Sequence, residues 1–131
     1  MANEATMVQR LQDRLPQCKV AAGTTILKGT ILKLSDANVG SASSADGDVF
    51  LGIAAAEKDG SDASETLSYW SKGIFDLKTS GTVTVGAPVK VSGANTIAPA
   101  DDATAAGIKE IVGIALQAAT SGEVIEVRLG L

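Results

Sequence analysis

The stretch KGTILKLSDAN at residues 28–38 returns as VGAPVKVSGAN at residues 85–95. Gly29, Lys33, Ser35, Ala37 and Asn38 recur as Gly86, Lys90, Ser92, Ala94 and Asn95, each 57 positions on. FLGIAA at 50–55 then pairs with IVGIAL at 111–116, and ETLSYW at 65–70 with EVIEVR at 123–128, at slightly different offsets. Small slips of this kind fall in connecting loops, which tolerate insertions. A chain that repeats itself at this spacing is built from two similar supersecondary units.

Each unit reads as β structure. TILKLS and PVKVS alternate apolar and polar residues, so Ile31, Leu32 and Leu34 form an apolar side and Lys33 points outward. DAN and GAN follow as turns, since Asn tolerates a left-handed backbone. VFLGIAAAE and EIVGIALQ are apolar on both faces and read as central strands. Gly52 and Gly113 inside them point to a bulge or a close backbone approach. ETLSYWSKG and EVIEVRLG alternate again, and GIFDLKTSGTVTVG between the units supplies one more strand near Ile74–Lys78. The expected fold is all-β: a compact antiparallel β-barrel or sandwich of seven or eight strands, made of two similar halves at about 24–80 and 81–131. DDATAAGIKE (101–110) has room for one helical turn, with Gly107 arguing against more.

An N-terminal arm, residues 1–19, precedes this β-domain of residues 20–131. Thr6 and Gln9 have capping-box spacing, Met7, Val8, Leu11 and Leu15 share one face of a short helix, and Arg10 and Arg14 lie on the other. Pro16 stops it. A helix this short is marginal in water, so its apolar stripe needs a surface. That surface is either its own β-domain or another protein; strand addition to a neighbour is a third mode. Residues 1–34 carry five basic side chains against two acidic, and the rest six against thirteen. The acidic body disfavours nucleic acid, whereas the basic part suits either an acidic partner or simple solvation.

Candidate chemistry is sparse. GTTILKGT at 23–30 resembles a Walker loop with its Lys and Gly exchanged. A phosphate loop needs Gly before Lys and a helix afterwards; here a strand pattern follows, and the second copy replaces Lys28 with Val85. Asp46 with Asp48, and Asp59, Asp62 and Glu65, lie in Gly-containing loops without the ligand ladder of a calcium hand, so they read as turn formers. The chain has no histidine and one cysteine, Cys18, so no disulfide within the chain and no zinc cluster is expected, and the thiol lacks an activating partner. No nucleophile motif is present. No catalytic residue, cofactor or metal is therefore expected, and the chain reads as a non-enzyme. No apolar run is long enough to span a membrane and no signal peptide is expected, which suits synthesis in a cytosol-like compartment. Of the four aromatic residues, Tyr69 and Trp70 are adjacent in a strand, so one faces the core and the other is exposed or at an interface. Trp70 joins the arm residues as a candidate contact.

The order GTILKL (29–34), FLGIA (50–54), KGIFDL (72–77), VGAPVK (85–90), IVGIAL (111–116) and SGEVIEVRL (121–129) resembles the capsid decoration, or cement, proteins of tailed bacteriophages. Within these it resembles the small group often mislabelled as phage recombinases. The resemblance covers about residues 20–131. It implies a virion protein made in the host cytoplasm that binds the outer capsid surface, with the major capsid protein as partner, self-association as a homotrimer, and stabilisation of the expanded head. Met7, Val8, Arg10, Leu11, Arg14, Leu15 and Trp70 are the expected contact residues, with no nucleic acid or membrane involved. The alternatives are a carbohydrate- or host-surface-binding β-module on the virion, a tail or baseplate component, and a small hydrolase.

Overall fold

The structure, a computed structural model, describes residues 15–61, 65–100 and 109–130. Met7, Val8, Arg10, Leu11 and Arg14, and most of the 101–110 stretch, lie outside the described residues. Among the described residues there are ten strands. These are β1 (Gln17–Lys19), β2 (Ile31–Asp36), β3 (Val39–Ala42), β4 (Phe50–Ala54), β5 (Thr66–Trp70), β6 (Ile74–Thr79), β7 (Pro88–Gly93), β8 (Thr96–Pro99), β9 (Ile111–Ala115) and β10 (Val124–Leu129). The fold is all-β and made of two similar halves, as the sequence predicts.

The halves are two closed five-stranded barrels, β1-β3-β2-β4-β5 and β10-β6-β8-β7-β9. The second order is the first with each strand replaced by its repeat, read in the same direction round the ring. This corrects the expected three strands per half and the total of seven or eight. Three strands escape notice, β1 and β3 in the first repeat and β8 in the second. β3 and β8 are short and rich in small residues, and β1 is only three residues long, yet it holds the place that β6 fills in the second barrel. Pairing is antiparallel except where each ring closes. There β1 runs parallel to β3 (Lys19 opposite Val39), and β6 runs parallel to β8 (Lys78 opposite Thr96). Closing the ring leaves no sheet edge open for unspecific pairing.

The turns expected at DAN and GAN form, and they make tight hairpins. Asn38 and Asn95 sit at φ 57° and 56°, the left-handed region that Asn tolerates. The strand glycines mark close approach. A Cβ on Gly52 would collide with the Tyr69 ring and the Trp70 carbonyl, and one on Gly113 with the Arg128 carbonyl.

The apolar residues divide into two cores. Cys18, Val20, Ile26, Leu32, Ala54 and Leu67 fill the first barrel, with Leu51 and Tyr69 packed beside them. Val83, Val89, Val91, Ile97, Val112, Ile125 and Val127 fill the second, together with Ile31 and Ile53 from the first half. Burying each of these branched side chains contributes about 1.5–3 kcal/mol. The expected apolar side Ile31, Leu32, Leu34 is therefore split. Leu32 faces its own barrel, Ile31 faces the neighbouring one, and Leu34 is 41% exposed.

Candidate partner-binding surface

The two barrels meet along a polar seam around Ile31 and Ile53. The Ile31 N–H donates to Asn95 Oδ1 (2.9 Å), and the Asn95 N–H donates to Ser43 Oγ (3.0 Å). The Ser43 hydroxyl in turn donates to the Gly93 carbonyl (2.9 Å). Nearby, the Gly47 N–H donates to the Val91 carbonyl (3.1 Å) and Lys90 pairs with Asp46 (3.1 Å). The Ile31, Asn95 and Gly47 N–H groups and the Gly93 and Val91 carbonyls are thereby paired across the seam or within it. These seam residues were not singled out from the sequence as a site. The available signal was the exact return of Asn38 as Asn95 while Ser43 becomes Ala100.

Tyr69 and Trp70 face opposite sides, as adjacent strand residues must. Tyr69 packs against the first core, and burial, with Cys18 nearby, pushes its hydroxyl above the ordinary tyrosine range. Trp70 is 38% exposed, with its ring 6.2 Å from that of Phe75 at a tilt of 51°. That geometry is within the favourable range for aromatic pairs. The N-terminal segment leaves the barrel beside it. The Tyr69 N–H donates to the Pro16 carbonyl (3.0 Å), Gln17 lies opposite Ser68, and Leu15 is half-buried. Of the expected contact residues, the structure thus brings Leu15 and Trp70 to one corner. The outer face of β6 and β10 is mixed: Ile74 lies opposite Arg128, Asp76 opposite Glu126, and Lys78 opposite Val124.

The residues considered for chemistry have structural work. Gly23 and Gly29 adopt positive φ (81° and 89°) in the turns before β2, and Gly86 repeats the second at 82°. Lys28 is exposed, and a strand rather than a helix follows Thr30. Asp46 is in the seam ion pair. Asp48 is raised somewhat by burial, but the Ser44 and Ala45 N–H groups (2.8 and 2.9 Å) and Lys33 hold it below the ordinary carboxylate range. Asp59 accepts from the Ser61 N–H (3.0 Å), which holds it low as well. Cys18 is buried, and that burial pushes its thiol up, away from the reactive thiolate. Among the described residues no group of His, Cys, Asp and Glu is placed to hold a metal ion.

A search of curated proteins returns no match. Among solved structures, the chain is similar to the head fiber gp8.5 N base in bacteriophage phi29. The TM-score is 0.57 at 14% identity, covering 87% of this chain and 91% of that one. This likeness speaks to the fold. The family described as phage cement protein matches residues 17–131, from the first strand to the end of the chain. With both barrels inside that match, the chain belongs to the phage cement protein family and is a structural protein of a phage virion.

Proposed function

We propose that this protein decorates the outer surface of an assembled phage capsid and stabilises it, by non-covalent bridging of neighbouring subunits of the major capsid protein. The observation that carries this reading is the family match across both barrels. The molecule suits the role. Two closed barrels joined by a satisfied polar seam make a rigid block with no open edge, and bridging asks for rigidity and surface rather than catalysis. The chain acts as a homotrimer at three-fold and quasi-three-fold positions, where several modest contacts per oligomer multiply into firm attachment. The likeness to the base of a head fiber supports a place on the head rather than in the tail.

The attachment surface includes Trp70 and Leu15, near the point where the chain enters β1. Met7, Val8, Arg10, Leu11 and Arg14 are the further contact residues, and the arm is the segment that docks on the shell or on an adjacent decoration subunit. Trp and Arg are the residue types that dominate interface energetics. Removing residues 2–14 tests this assignment, because Pro16 and Gln17 already bond to β5 and must stay. The truncated protein should melt as the full chain does and lose capsid binding. Full binding by the truncated protein would contradict the assignment. A glycan-binding role needs a platform of exposed rings, whereas Trp70 is the one aromatic side chain more than a third exposed among the described residues.

A further inference from the structure

The seam between the barrels has a direction. Ile31 and Ile53, on the outer wall of the first barrel, are 0% and 1% exposed because the second barrel covers them. Their repeats on the outer wall of the second barrel, Pro88 and Ile114, are only half-buried. The second barrel meets the seam with the end that carries Val91, Gly93 and Asn95. The same end of the first barrel carries Leu34, Asp36 and Asn38, and it is open. Leu34 is 41% exposed where Val91 is 0%, and the Asn38 side chain has no partner among the described residues. A two-fold seam would bury both walls and both ends. This one uses one wall and one end, and leaves one of each unused.

The unused end has kept part of its sequence, although Leu34 and Asp36 stand where the other copy has Val91 and Gly93. Lys33, Ser35, Ala37 and Asn38 are identical to Lys90, Ser92, Ala94 and Asn95. The unused wall has changed at two positions. Pro88 replaces Ile31 and has no N–H, and Ala100 replaces Ser43 and has no hydroxyl. In the seam those two donors are permanently satisfied. On a surface that is free part of the time, their loss leaves fewer polar groups to be stripped of water on docking.

We propose that copies of this chain associate head to tail. The outer wall of the second barrel of one copy (Pro88, Ile114, Ala100) covers the open end of the first barrel of the next (Leu34, Asp36, Asn38). The seam within the chain is thereby repeated between chains, without the three hydrogen bonds that pass through the Ile31 N–H and the Ser43 hydroxyl. Contacts of this kind close into rings when the rotation permits, and three copies place six barrels around one axis. The inference specifies the contact behind the self-association in the proposed function and rests on that part of it alone.

The test uses the full chain. In the seam the Ser43 hydroxyl sits on Gly93, so Ala100 and Asp36 mark the corresponding positions between copies. The D36C/A100C variant, mildly oxidised in concentrated solution, should give disulfide-linked species that end at three chains and revert with reductant. L34E, a change at an exposed position, should keep the wild-type melting temperature and associate at least about tenfold more weakly, because a charge is placed in the contact. D36C/A100C that forms no linked species, or L34E that associates as tightly as wild type, overturns the contact. Shell binding is measured on the same samples. Binding without linked species would overturn this contact and leave the decoration role standing; linked rings that ignore shells would support the contact and overturn that role.

Discussion

Asn95 reaches from the β7–β8 turn of the second barrel to Ile31 in the first and accepts its N–H at 2.9 Å, while its own N–H donates to Ser43. Asn38, its repeat, makes no side-chain bond among the described residues, although both adopt the same left-handed backbone. Asn95→Gly keeps that backbone and removes only the side chain. It should cost about 1–2 kcal/mol, since the Ile31 N–H is left dry and unpaired. Asn38→Gly should cost a few tenths. Denaturant melts of the two variants, read side by side, isolate the seam bond.

Gly113→Ala should be severely destabilising, because its Cβ would meet the Arg128 carbonyl, which is backbone and cannot turn aside. A cost of about 3 kcal/mol or more is expected, at or beyond the upper end for overpacking. Gly52→Ala meets the Tyr69 ring and the Trp70 carbonyl and should also destabilise. Thermal melts of both against wild type check this.

The repeat and its all-β character were legible because the turn and central strand kept their residues: Gly, Asn and the Gly-Ile-Ala run serve backbone geometry that both copies need. β3 and β8 were not legible. VGSA and TIAP are too short to show alternation, and they are recognised as strands only once the Asn turns fold them back on β2 and β7. β1 was hidden because Gln17–Lys19 share almost nothing with β6 beyond Lys19 and Lys78. The division into two cores was hidden for another reason. Periodicity tells that Ile31 is buried but not by which barrel, and only the tertiary arrangement assigns it to the neighbour. For the surface, the opposite facing of Tyr69 and Trp70 follows from strand geometry, whereas the seam depends on residues 64 positions apart.

Asp48 accepts two backbone N–H groups and lies 3.9 Å from Lys33. Its folded-state pKa lies below the unfolded value of about 3.9. Its contribution is therefore complete above that value and is lost as pH falls through the folded pKa. Asp48→Asn should lower stability at pH 7 by roughly 1 kcal/mol or less, the site being near solvent. The gap between variant and wild type should close as pH falls through that lowered folded-state value. Melting the pair across pH 2–7 reads the effect.

Trp70→Ala removes the half-exposed ring at the corner where the N-terminal segment leaves the barrel. Its melting cost should be about 1–3 kcal/mol, from the contact with Phe75 and the buried part of the ring. Its effect on capsid attachment should be at least about thirtyfold if the ring is an anchor. Because Trp70 is the chain's one tryptophan, its emission in the wild-type protein should also shift on binding.

The central claim is attachment to an assembled capsid with stabilisation of the shell. The purified protein is mixed with expanded and unexpanded shells, and the copies bound per capsid and the melting temperature of the shell are measured. The account predicts saturable, stoichiometric binding to the expanded shell and a raised melting temperature. No binding to either shell, or binding that leaves the melting temperature unchanged, would contradict it.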